Sequence, residues 1–311
     1  MKKLYLIAAA MLLCLSVAAQ GSSKQFVPKA GDFSFGVSYN PVSDFSSYQP
    51  STGDFAGSFV RDLGDYPHQM YFLGIDPKVS FQVRYHLTYN WSARAVLGLS
   101  GSTIHYREYI QDDVAHKADV NTSNRQEDCI NASLKGMSLG VEAEYTKSFG
   151  ALAFIAGFGA QFAVGGGSMT FDYGNGYGDY NGNKPSTMPY LTVPTADLQT
   201  LNEYGQLGDK LSYMSYARPL ERYNIGDCKA LAITCNMGVE YFFMGQMSLT
   251  AAVTFVPVAI YFQPQTYTLF EGYNFNSKQV ETFHMPVSSG SSAVLYGTQN
   301  VGIRLGFNYY L

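Results

Sequence analysis

Hydrophobic and polar residues alternate strictly along Val301-Gly302-Ile303-Arg304-Leu305-Gly306-Phe307-Asn308-Tyr309-Tyr310-Leu311. Odd positions are large and apolar, while even ones run Gly, Arg, Gly, Asn, Tyr. Successive side chains of a strand point to opposite faces, so this stretch has one apolar face and one small or polar face. Seven earlier stretches share the period. The first, 32–40, sets Phe33, Phe35, Val37 and Tyr39 against Ser34, Gly36 and Ser38. In 78–88 the apolar set runs Val79 to Leu87, opposite Ser80, Gln82, Arg84 and His86. In 91–105, Ala93, Ala95, Leu97 and Leu99 oppose Ser92, Arg94 and Gly98. The remaining strands are expected at 128–146, 151–164, 229–243 and 247–261. Pro257, late in the seventh, predicts a bulge or the end of pairing there.

The connections alternate long and short. Tyr89-Asn90, Lys147-Ser148-Phe149-Gly150 and Met244-Gly245-Gln246 are tight, whereas about 41–76, 106–128, 165–227 and 262–296 are long and polar. Within the third long segment, Met169 to Tyr173 and Leu211 to Tyr216 could form an extra hairpin, giving a taller rim or ten strands. A long strand with one apolar face is hazardous as an open edge, and closing the last strand on the first removes the edge. Each stretch reaches the ~9–11 residues a tilted strand needs to cross a bilayer. The fold class expected is therefore all-β: a transmembrane, up-and-down antiparallel β-barrel of eight strands with long extracellular loops. Short turns then lie in the periplasm, as do both termini.

The start of the chain predicts export. Lys2 and Lys3 precede an apolar run to Val17, and Val17-Ala18-Ala19 offers small residues for cleavage before Gln20. This is a signal peptide over 1–19, with a single barrel domain over 20–311. The run is shorter than the ~20 residues of a membrane-spanning helix. Aromatic residues make up 15% of the chain and charged ones 14%, a balance that suits a lipid-facing belt with aromatic girdles. A net charge of −4 without a basic cluster argues against a nucleic-acid partner.

In its cleavage site, its inward Gly-x-Arg/Glu rhythm and its aromatic last strand, the chain resembles the small OmpX- and OmpA-like outer-membrane barrels, especially their Bacteroidetes-type relatives. The resemblance implies residence in the outer-membrane lipid of a Gram-negative cell. It also implies a terminal strand read by the barrel-assembly machinery, with Phe307, Tyr309 and Leu311 at its outward positions. The family more often ends in Phe. The likeness covers the strands and not the loops, so it implies architecture rather than activity.

Six charged residues fall on inward faces: Arg84, Arg94 and Arg304 with Glu142, Glu144 and Glu240. An eight-stranded barrel is just wide enough for side chains to fill it, and a buried charge needs a partner. A lumen ion-pair network is expected; the alternatives are a gated ion path or an acid/base pair of Glu142 and Glu144. At the rim, His68, His105, His116 and His284 lie in or near loops, as do Asp112, Asp113, Asp172 and Asp179. Their spacing matches no recognised metal or catalytic pattern, and no cofactor is expected. The long segments are rich in tyrosine among Gly and Asn: Tyr173, Tyr177, Tyr180, Tyr190, Tyr204, Tyr213, Tyr216 and Tyr223. Tyrosine gives large contact area at small entropic cost. These residues are either a surface for a ligand or neighbouring membrane protein, or the packing of a cap. Of three cysteines beyond the signal peptide, Cys129 and Cys228 are the expected disulfide pair, if one forms. The leading expectation is a non-enzymatic surface protein acting through its loops, ahead of a small porin and of a rim enzyme.

Overall fold

The computed structural model describes residues 27–43, 79–177, 184–188, 191–199, 211–288, 290–297 and 301–311. The expected signal peptide lies outside them. The elements in chain order are β1 (Phe33–Ser43), β2 (Val79–His86), β3 (Trp91–Gln111), α1 (Asp113–Ala118), β4 (Arg125–Phe149), β5 (Leu152–Asp172), β6 (Val193–Pro194) and α2 (Thr195–Gln199). They continue with β7 (Tyr216–Met244), β8 (Met247–Gln263), β9 (Thr266–Asn274), β10 (Gln279–Ser288), β11 (Ser291–Tyr296) and β12 (Val301–Tyr310).

Eight of these strands close on themselves. β1, β2, β3, β4, β5, β7, β8 and β12 pair antiparallel in that order, and β12 returns to β1. Closure can be checked by walking between paired residues. From Phe81 one route runs through Leu97, Leu139 and Phe162 to Leu231 on β7. The other runs through Val37, Phe307 and Leu249 to Tyr241 on the same strand. The two routes meet ten residues apart. That stagger is the shear of a closed barrel, and it requires strands tilted by roughly 35–45°.

The alternation sorts the two surfaces as the pleat demands. On β2, Val79, Phe81, Val83 and Tyr85 are exposed while Ser80, Gln82, Arg84 and His86 are buried. On β12, Leu305 and Phe307 face out and Gly302, Arg304, Gly306 and Asn308 face in. Exposed apolar side chains form a continuous outer belt, which only a lipid surround can satisfy. This is the fold of an outer-membrane β-barrel.

Four strands do not stop where the belt stops. The β3–β4 ladder runs unbroken from Trp91 opposite Tyr145 to Gln111 opposite Arg125. β5 and β7 also continue far above the belt. Residues 106–111, 125–128, 165–172 and 216–227, expected as loops, are therefore strand. The reason is an inversion of polarity. Within the belt the inward positions are mostly polar or small, but above it Ile130, Ala132, Met169 and Phe171 point inward into an apolar core. The outward positions there become polar: Asn131 and Ser133 on β4, Thr170 and Asp172 on β5. Alternation marks the bilayer, whereas backbone pairing sets the strand length.

The fourth long connection is also built. β8 continues into β9 across Pro264-Gln265, and β10 returns into β11 across Gly290. β8–β11 and β9–β10 thus form one long ribbon with a bend. Gly290 has φ +83°, and a Cβ there would lie 2.6 Å from the Gln263 carbonyl oxygen, so the bend demands glycine. β7 bends alongside at Asn224, φ 59°, whose side-chain amide donates to the Gln265 carbonyl at 2.8 Å. The additional hairpin thus lies in the fourth connection; in the third, 169–172 and 216 extend barrel strands and raise the rim rather than the strand number. The hairpin adds to the sheet above the barrel and leaves the wall at eight strands. At Pro257 the β7–β8 register shifts, and β8 exchanges β12 for β11 as partner. The Pro257 carbonyl accepts from the Gly297 amide at 3.0 Å.

Candidate functional site

Two regions hold the polar residues singled out in the sequence. The first is the lumen. Arg84 projects inward from β2; its Nε donates to Glu144 Oε2 at 2.7 Å, and its Nη1 to Glu240 Oε2 at 2.8 Å. Nη1 also donates to Tyr310 Oη at 2.8 Å, and that phenol donates on to Glu240 Oε1. Arg94 bridges Glu142 and Glu144, and Asn236 donates to Glu142 at 2.6 Å. Arg304 Nη1 lies 3.9 Å from Glu142. The structure thus gathers all six charged residues into one network, each at most 2% exposed.

Glycines let this network fit. A Cβ at Gly157 would come within 2.9 Å of the Glu144 side chain, and one at Gly159 within 2.1 Å of the Val141 carbonyl oxygen. Gly36 is filled in the same way by Asn308, which takes a 2.5 Å hydrogen bond from Gln82. The lumen is packed with matched charge, three arginines to three carboxylates. Glu142 and Glu144 are engaged by arginines and buried, so neither stands ready as an acid or base toward a substrate.

The second region is the cap above the belt. The described parts of 184–217, with α2 and β6, cover the inward face of the raised sheet. Ile130, Met169 and Phe171 pack on Met188 and Leu191, while Phe270, Phe283 and Met285 pack on Leu198, Leu211 and Met214. Buried carboxylates pin the crossing chain. Asp128 accepts from the Gly174 and Met188 amides and from Thr187 Oγ1, at 2.9, 2.9 and 2.5 Å. Asp113 accepts from the Ser186 amide at 2.7 Å. Asn175 donates to the Gln111 and Ser186 carbonyls and accepts from the Asp113 amide.

Tyr173 and Tyr177 belong to this packing. The Arg218 guanidinium lies 3.9 Å from the Tyr173 ring centre and 4.9 Å from that of Tyr177. Its Nε donates to Glu271 at 2.7 Å. A cation held between two rings and a carboxylate is a strong internal tie. Tyr173 donates to the Pro219 carbonyl at 2.6 Å. Tyr216 lies under Lys184 at 4.8 Å, and Tyr213 is half-exposed. Tyr180, Tyr190 and Tyr204 lie outside the described residues, as do His68 and Asp179.

Burial pushes the phenols of Tyr173 and Tyr177 well above their ordinary 10.0, with Arg218 pulling the other way. The folded values exceed the unfolded one, so their contribution to cap stability is complete below about pH 10 and is lost as pH rises beyond it. Near-UV circular dichroism of the cap is expected to hold from neutral pH to about 10 and then decay; decay already at pH 8 would contradict this.

The other rim candidates do structural work. Asp112 caps α1 by accepting from the Ala115 amide at 2.9 Å. His105 is hydrogen-bonded to Asn131, which donates to Asp172. Among the described residues no three His, Cys, Asp or Glu groups converge on a metal position. The expected disulfide is absent: Cys129, Cys228 and Cys235 are all free thiols. Cys129 faces Asp172 and Cys228 faces Gly165, both on β5. Seven residues at ~3.3 Å each separate those levels, far beyond the ~7 Å a disulfide spans. Both cysteines follow acidic residues, but only Cys228 lies near the belt edge.

Arg218, Asp128 and Asn175 do not stand out in the sequence. Two arginines among the loop tyrosines, Arg218 and Arg222, were the available signal.

No protein-family model matches the chain, and no curated protein matches it. Among solved structures it is similar to the outer membrane protein OprG of Pseudomonas aeruginosa, at 11% identity and a TM-score of 0.32, over 91% of this chain and 97% of that one. The attachment invasion locus protein Ail of Yersinia pestis is 9% identical with a TM-score of 0.29, over 91% and 99%. A major outer membrane protein of Thermus thermophilus is 11% identical with a TM-score of 0.32, over 91% and 100%. At these scores the likeness transfers no property. The fold rests on the strand pairing.

Proposed function

We propose that this is a non-enzymatic outer-membrane protein that acts by contact, its barrel serving as anchor and its cap as the surface presented to a ligand or partner protein. The supporting observation is the division of labour between the two regions. The lumen is filled by a charge-matched network, while the strands above the belt are extended to support a folded cap with two apolar cores. In this reading the short turns and both termini face the periplasm, and the cap is extracellular. The barrel-assembly machinery takes the β12 strand.

Orientation is tested on intact cells. Cys129 lies on the polar outer face of the cap, partly exposed, so a membrane-impermeant maleimide is expected to label the protein, and Cys129→Ser to lose most of the label. Labelling only after the outer membrane is breached would reverse the orientation. Steady ion conduction through the purified barrel would replace the contact reading with a small channel.

A further inference from the structure

The inward face of β7, β9 and β10 is closed by the cap core, but their outward face carries an open aromatic patch. Tyr223 on β7 stands directly opposite Tyr267 on β9. Glu221 and His284 flank Leu269 from either side. The Tyr223 and His284 rings lie 6.3 Å apart, at 31° to one another. Pairing puts all of these side chains on one face, opposite the buried Arg222, Thr268, Phe270 and Phe283.

The rings are held in place. Tyr223 Oη donates to Glu221 Oε2 at 2.6 Å, and Tyr267 Oη donates to Gln265 Oε1 at 2.8 Å. Each phenol is thus fixed at its edge by the residue two places earlier on the chain, while Tyr267 and His284 remain exposed. Aromatic rings carry a large apolar area and normally bury it. Here they are pre-organised on a strand surface that lies above the lipid belt. A rigid array of this kind loses little entropy on binding.

The chemistry of the patch restricts its ligand. The anchoring groups, Glu221 and the Gln265 side-chain oxygen, are acceptors around an apolar floor of Tyr223, Tyr267 and Leu269. A matching ligand has a flat C–H face and peripheral hydroxyl donors. Glu221 disfavours an anion, since like charge repels at close range. A pyranose ring meets these requirements. We propose that the outward face of β7–β9–β10 binds neutral hexopyranose glycans, stacked on Tyr223 and Tyr267 with hydroxyls donating to Glu221 and Gln265. This rests on the contact reading above and names its ligand class.

The test is isothermal titration of the full refolded protein, in a detergent without a sugar headgroup, with cellohexaose, maltohexaose and chitohexaose. At least one is expected to bind with Kd of roughly 10 µM to 1 mM. Tyr223→Ala and Tyr267→Ala should each weaken that binding tenfold or more. Tyr267→Trp should keep it, and Thr282→Ala, on the same face, should leave it unchanged. Heat-modifiability and circular dichroism verify that each variant is folded. Absence of binding by all three sugars overturns the glycan assignment, as does equal binding by the tyrosine variants. A protein partner captured through this face while the sugars fail assigns the patch to protein and overturns it too. None of these failures touches the contact reading, which ion conduction decides separately.

Discussion

Replacing Arg84 with alanine is expected to cost the barrel about 3–5 kcal/mol, because it leaves Glu144 and Glu240 as buried carboxylates without their shared cation. Arg84 reaches Glu144, Glu240 and Tyr310 at 2.7–2.8 Å. Arg94 still reaches Glu144 at 3.2 Å, but Glu240 retains only neutral donors among its described partners: Ser248, Asn308 and Tyr310. Arg304→Ala should cost less. Among the ion pairs of the described residues in the lumen, Arg304–Glu142 is the longest at 3.9 Å, and Arg94 and Asn236 continue to hold Glu142 without it. Urea unfolding followed by heat-modifiability on gels measures both. Equal midpoints for wild type and Arg84→Ala would mean the network contributes no stability.

Asp128→Ala is expected to release the cap while sparing the barrel. Asp128 is 1% exposed and ties β4 to three groups of the crossing chain, at Gly174, Thr187 and Met188. Hydrogen bonds to a charged group contribute about 1.5–3 kcal/mol each and are not additive. The loss is therefore set at about 3 kcal/mol, concentrated in the cap. The side chain lies above the lumen network and touches none of its members, so heat-modifiability should stay at the wild-type midpoint. Limited proteolysis should gain cuts within 173–188. A digestion pattern matching wild type would show that the apolar cores hold the segment without Asp128.

The barrel was legible because one physical rule governs most belt residues: lipid outside and packed polar or small groups inside impose a period of two. Phe81 against Gln82 and Arg84, or Phe307 against Gly306 and Asn308, carry that rule in plain form. Above the bilayer the rule changes sign. Ile130 and Ala132 point inward, where Ser138 and Glu142 lower on the same strand are polar, so an apolar-out template loses the strand toward its start and reads residues 125–128 as loop. The lumen network was legible as a set of charges, since all six lie at inward positions. Its hub was not, because distance from Arg84 to Glu240 depends on how strands 156 residues apart in sequence curve toward one another. The cap tyrosines show the same limit. Composition could not separate Tyr173 and Tyr177, which sandwich Arg218, from Tyr223 and Tyr267, which face outward. Partnership across the fold decides between them.

On the proposed reading the lumen is closed and the protein works through its surface. Single-channel recording of the refolded barrel in a planar bilayer tests it most directly, with folding verified on the same sample by heat-modifiability. A folded protein that leaves the bilayer electrically silent is the expected result. Stable, reproducible openings from the folded wild type would contradict it, since the network of Arg84, Arg94, Arg304 and their three glutamates would then have to part to admit ions.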